Sequence, residues 1–167
     1  GIKESDNWVR LLETSVNSLG TKLNIVNSSV SGDTTIGGLS RIQSDLKEYK
    51  PDFVLIELGG NDGMRGYPIE NIKSNLLQIS DAVIEANAIP LIMQIRIPPN
   101  YGSRYVAAFE SIYSQIAEEK NLVMLSFLLE KVALDENLMQ RDGIHPNSKA
   151  QPIIANQVQE ELLRIIK

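Results

Sequence analysis

Cysteine is absent from the sequence and histidine occurs once. The first absence excludes disulfides, thiol catalysis and zinc sites of the cysteine type. With a lone imidazole, the carboxylates are too scattered to form a spaced ligand set, so neither a metal nor another cofactor is expected. No dinucleotide loop is present, because Gly32 and the Gly59-Gly60 pair do not make that fingerprint. Blocks of like charge are missing too. Lys and Arg total 16 against 21 Asp and Glu, a formal charge of −5, which disfavours nucleic acid and anionic membrane surfaces as partners. No apolar run is long enough to span a bilayer, so stable membrane insertion is not expected. Repeats, linkers and low-complexity tracts are also lacking. The chain opens on Gly1 without a signal-peptide pattern, and is expected to be a processed or incomplete product.

What is there suits one packed domain over residues 1–167, with 43% apolar and 22% charged residues, a length and composition able to bury a core unaided. Trp8, Leu11, Leu12, Val16 and Leu19 share a helical face that Gly20 can close. Leu23 to Val30 reads as a strand ending at Ser31-Gly32-Asp33. Asp33, Thr34 or Thr35 can cap a helix through Leu39, Ile42 and Leu46, which Lys50-Pro51 stops. Phe53 to Leu58 has the near-continuous apolar run of a strand covered on both faces. Pro68 suits the first turn of a helix carrying Ile72, Leu76, Ile79 and Val83. A strand at Leu91 to Ile95, a helix through Phe109, Ile112 and Ile116, and a strand at Leu122 to Phe127 follow. Asn147 or Ser148 can cap a last helix through Ile154, Val158 and Leu162. This alternation predicts an α/β fold, a mostly parallel sheet between helical layers.

In such sheets ligands collect at the carboxyl ends of the strands. Three loops there carry chemistry. Gly32, in Ser31-Gly32-Asp33, lets a substrate oxygen approach a free backbone N–H near a helix start; the plainer alternative is a turn glycine beside a capping Asp. Asn61, in Gly59-Gly60-Asn61-Asp62, offers an uncharged amide donor; the alternative is a Gly-rich turn whose Asn and Asp satisfy local backbone. Asp142 lies three residues before His145, close enough to hold the imidazole tautomer and leave the far nitrogen to take a proton; a structural histidine beside Pro146 is the alternative. A general base, its orienting carboxylate and two oxyanion donors compose an acyl-transfer site without a nucleophile.

In order and spacing these three blocks resemble those of the SGNH hydrolases, also called GDSL esterases. The segments FVLIELGGNDG (53–63), MQIRIPPNYG (93–102) and DGIHPNSKAQP (142–152) are similar to the bacterial thioesterase I, lysophospholipase L1 and arylesterase branch. The resemblance runs from about Trp8 to the end. It implies a three-layer, flavodoxin-like α/β/α sandwich, an ester and thioester hydrolase using a Ser-His-Asp triad, no cofactor, a small-molecule acyl substrate and a periplasmic or secreted setting.

The family's first strand leads into Gly-Asp-Ser-Leu, which supplies the nucleophile. No Gly-Asp-Ser occurs here, so the serine is expected upstream of Gly1. Ser31 is the internal serine best placed to substitute, yet it falls in the block that supplies the glycine donor. Loss of an inner strand would leave an exposed sheet edge, with swapping or aggregation expected. Ile97, Pro99 and Tyr101 are expected to line an apolar acyl cleft. The alternatives are a carbohydrate acetylesterase and, lacking the serine, a non-catalytic acyl-binding module.

Overall fold

The computed structural model describes residue 2 and residues 6–166. In chain order its elements are α1 (Trp8–Ser18), α2 (Thr35–Tyr49), β1 (Phe53–Ile56), α3 (Gly60–Met64), α4 (Ile69–Glu85) and β2 (Ile89–Met93), followed by α5 (Ser103–Lys120), β3 (Val123–Leu125) and α6 (Gln151–Ile165). They group into two compact units, residues 28–127 and residues 1–27 with 128–167. Among the described residues no helix is long and apolar enough to cross a membrane.

Residues 28–127 contain a parallel sheet in the order β1-β2-β3. Phe53 pairs with Ile89 and Ile56 with Ile92; Leu91 pairs with Val123 and Met93 with Leu125. Parallel neighbours require crossovers, and α4 and α5 provide them. The helices end on residues that cannot continue them: Lys50 and Asn121 are left-handed caps, the first just before Pro51. Ile56 and Ile92 join Ile72, Leu76, Val83, Phe109, Ile112 and Ile116 in one buried cluster. Each such side chain contributes about 1.5–3 kcal/mol relative to exposure. Leu91 and Met93 alternate with Ile92 along β2 and are equally buried, which explains why this strand is apolar without interruption. An α/β fold with a small parallel sheet is thus what forms.

In the second unit α1 packs on α6. Asn7 caps α1 by accepting from the Arg10 N–H at 2.9 Å. The buried Gln151 at the start of α6 accepts from the Trp8 N–H at 3.0 Å, tying the two helix starts together. The capping expected of Asn147 falls one turn early: its side-chain oxygen takes the Lys149 N–H at 2.9 Å, and α6 begins at Gln151.

One expected element does not form. Leu23 to Val30 carries no strand pairing; its backbone is met by side chains of α1. Asn17 brackets Leu23, taking its N–H at 2.6 Å and giving its amide to the Leu23 carbonyl at 2.9 Å, while Glu13 takes the Ile25 N–H at 3.0 Å. Val26 and Val30 are exposed. Alternating apolar residues make a strand only where a neighbouring backbone pairs with them, and among the described residues β1 pairs with β2 alone.

Candidate active site

The oxyanion candidates lie in residues 28–127. Gly59 has φ +112, a left-handed backbone that ends the strand run and starts α3. A methyl group there would overlap the hydroxyl of Tyr113, which donates to the Leu58 carbonyl at 3.0 Å. Burial first, and then the charge of Asp62, push the Tyr113 phenol well above its usual range, so it stays a neutral donor. This locks the turn that presents Asn61.

Asn61 does not stand free. Its Nδ2 donates to the Asp33 carbonyl at 2.9 Å, which consumes one amide hydrogen and leaves the other. Arg65 Nη2 reaches the Gly32 carbonyl at 3.2 Å. Among the described residues no backbone carbonyl takes the Gly32 N–H. Thus Asn61, in α3, and the loop bearing Gly32 are held side by side by the bonds to the Asp33 and Gly32 carbonyls.

For a third residue of the same turn, Asp62, local backbone satisfaction was the alternative weighed from sequence, and its side chain instead serves a distant helix. Asp62 is 1% exposed and caps α2 across a separation of 27 residues. It accepts the Thr35 N–H on both oxygens, at 3.2 and 3.0 Å, and the Thr35 hydroxyl at 2.6 Å. Thr34, at the N-cap position, makes no side-chain cap. Asn75 of α4 completes the chain with its amide donating to Thr35 Oγ1 at 3.0 Å. The available sequence signal was a helix start offering Asp, Thr and Thr in a row with no Glu or Gln three residues on.

The base candidates lie in residues 137–147 of the other unit. Met139 bridges Pro146, and the Gln140 N–H donates to the His145 carbonyl at 2.7 Å, closing a narrow loop. Asn147 braces its foot, donating to the carbonyls of Asn137 at 2.8 Å and Met139 at 3.1 Å. Gly143 turns the chain at φ +67, so Asp142 folds back on the residues that follow. One oxygen takes the Ile144 N–H at 2.9 Å and the His145 N–H at 3.0 Å; the other meets His145 Nδ1 at 2.8 Å. Those bonds, the His145 N–H foremost, hold Asp142 down to about 2. A carboxylate only accepts, so Nδ1 carries a proton, and in the neutral ring the lone pair is on Nε2. The imidazole is two-thirds exposed.

The loop expected to line an acyl cleft divides. Ile97 departs from that expectation: it is 6% exposed and packs inward with Phe109 in the core cluster. Pro99 and Tyr101 form a 3-10 turn and remain exposed. Among the described residues no group of three or more histidine, aspartate or glutamate side chains is placed to hold a metal ion.

Comparison with known proteins identifies the family of the chain. The thioesterase 1/protease 1/lysophospholipase L1 of Escherichia coli K12 is 46% identical over 159 residues, covering 95% of this chain and 75% of that protein. An arylesterase of Vibrio mimicus is 43% identical over 157 residues, covering 94% and 78%. Among solved structures, the psychrotrophic esterase EstA from Pseudoalteromonas sp., inhibited by monoethylphosphonate, superposes with a TM-score of 0.97 at 38% identity, over 99% of this chain and 91% of that one. Residues 1–152 match the GDSL-like Lipase/Acylhydrolase family. The chain belongs to that family, the SGNH-type ester hydrolases.

Proposed function

We propose that the protein, acting as one SGNH domain over residues 1–167, hydrolyses acyl esters and thioesters of small molecules in two steps. His145 Nε2 takes the proton of a serine, and the serine oxygen attacks the carbonyl carbon. The Gly32 N–H and the Asn61 amide stabilise the negative oxygen that develops. Collapse of this intermediate expels the alcohol or thiol, which receives the proton from His145. Water then repeats the sequence on the acyl-serine, releasing the acid. Asp142 orients the ring throughout and stabilises the imidazolium.

The observation that carries the reading is the 2.8 Å bond from Asp142 to Nδ1 of the single histidine. It holds the tautomer in which Nε2 is the base. The nucleophile is assigned to a serine outside residues 1–167, since Gly-Asp-Ser does not occur within them. Medium and long acyl groups are the proposed substrates, including lysophospholipids, aryl esters and acyl thioesters. The exposed Pro99 and Tyr101 support this by offering apolar surface.

The test applies a fluorophosphonate label and nitrophenyl acetate and octanoate to the full gene product and to residues 1–167. Labelling of the gene product at a serine outside the chain, with octanoate preferred, is the expected result. A label on Ser31 would overturn the nucleophile assignment, acetate preference the substrate class, and no label with fatty-acid stabilisation the hydrolase reading itself.

A further inference from the structure

We infer that Asp62 is a positioning residue for the oxyanion donors: by clasping Thr35 at the start of α2 it sets the register of the loop bearing Gly32 against the turn bearing Asn61. The inference rests on the proposed roles of Gly32 and Asn61.

The chain passes over a simpler solution. A helix start is ordinarily capped by its own N-cap side chain, and α2 has Thr34 there, with Asp33 just before it. Instead, Thr34 makes no cap and Asp33 Oδ1 takes the Thr34 N–H at 2.9 Å. The capping carboxylate comes from a different element, α3, and is 1% exposed. Burying a carboxyl group is costly unless its oxygens are met, and a local cap would have satisfied α2 without that cost. What the distant cap adds is a tie between two loops.

Three side chains of one turn grip one loop. Asn61 holds the Asp33 carbonyl, Arg65 holds the Gly32 carbonyl, and Asp62 holds both the N–H and the hydroxyl of Thr35. Arg65 is exposed and its bond is 3.2 Å, so it is the loosest of the three. Asp62 is the deepest. Asn75 gives its own hydrogen to Thr35 Oγ1, which commits the Thr35 hydroxyl proton to Asp62. The clasp is therefore anchored on α4, a helix of 17 residues built into the core. Oxyanion stabilisation depends on donors held in place before the reaction, and displacement by a fraction of an ångström weakens it.

The test uses Asp62→Asn, Thr35→Val and Thr35→Ser. On the full gene product, the first two are expected to lower kcat on the order of tenfold, short of the 100- to 1000-fold typical of deleting a donor, with KM little changed. Thr35→Ser, which keeps the hydroxyl, should restore most of the rate. Adding Asp62→Asn to Asn61→Ala should cost less than it does alone, because positioning acts through the donor.

A lower Tm with unchanged kcat per folded molecule would reduce Asp62 to a helix cap and overturn the inference. Where Asp62→Asn does not fold, Thr35→Val, nearly isosteric with the native residue, carries the same test. A readout free of turnover is the NMR signals of the Gly32 N–H and the Asn61 side-chain amide in the full gene product. Both should shift in Asp62→Asn, and unchanged signals overturn the clasp whether or not the protein is an esterase. Absence of turnover in the parent gene product would defeat the proposed function, while shifted signals would still support the clasp.

Discussion

The turn at Gly59 to Arg65 and the loop at Asn137 to Asn147 are both built to present polar groups, by opposite means. In the first, the deciding bonds join residues 27 to 40 positions apart and the central carboxyl is buried. In the second, Asp142 reaches only two and three residues ahead, and both its side chain and that of His145 are open to solvent. In the first region the buried Asp62 is the anchor, while Asn61 beside it is half-buried and Gly32 is exposed. A base that must exchange protons with substrate and water sits on a short loop that orders itself. The difference matches what each part does under the proposed mechanism.

Removing the base should have the largest effect. His145→Gln is expected to lower kcat of the gene product by about 10⁴- to 10⁶-fold with Tm nearly unchanged, since the ring is largely exposed and its bond stays within its own loop; steady-state kinetics beside a thermal melt would show it. Asn61→Ala should cost about 100- to 1000-fold in kcat. It should also loosen the Asp33 carbonyl it holds, so here the melt should move. Equal stability for the two variants would erase the contrast between the regions.

Their glycines sharpen it further. Both Gly59 and Gly143 have positive φ, but a methyl at 59 meets Tyr113 whereas a methyl at 143 meets nothing within 4 Å. Gly59→Ala is expected to cost on the order of 2–4 kcal/mol from strain plus overlap. Gly143→Ala should cost about 1 kcal/mol from backbone strain alone. Denaturant midpoints in the same buffer would compare them, and a reversed order would refute the assignment of Gly59 to a packed turn.

The smallest effect concerns protons. Asp142 titrates at about 2 in the folded chain, below an ordinary aspartate at about 3.9. The sign follows from the lowered value: the pairing stabilises above about pH 4, and that contribution disappears as pH falls through about 2. A carboxyl carbon titration by NMR should find the midpoint near the lower value; a midpoint near that of an ordinary aspartate would mean that the donated bonds are not held in solution.

How far the residues announced this arrangement follows from the same contrast. Asp142 and His145 were legible because their bond closes within four residues, and pattern at that range is read directly. Gly32 and Asn61 could be nominated from loop chemistry, yet the bonds that hold their segments together join residues 27 to 40 positions apart, among them Asp62, Thr35 and Asn75. Nothing in local spacing distinguishes a carboxylate that satisfies its own turn from one that reaches a distant helix. The buried strands at Phe53 and Leu91 were legible from their unbroken apolar runs. Leu23 to Val30 failed for a related reason: periodicity reports which faces a segment offers, and pairing depends on what lies alongside. Ile97 failed because an apolar residue after a strand can serve a cleft or a core, and packing with Phe109 decided it.

The carboxylate of Asp142 closes its ring of bonds entirely inside residues 142–145. Those four residues therefore fix the imidazole against its acid without help from any other segment, on a stem that the Met139–Pro146 bridge and Asn147 hold closed. The ring's orientation is thus a local property of the chain, set by bonds that span no more than three positions.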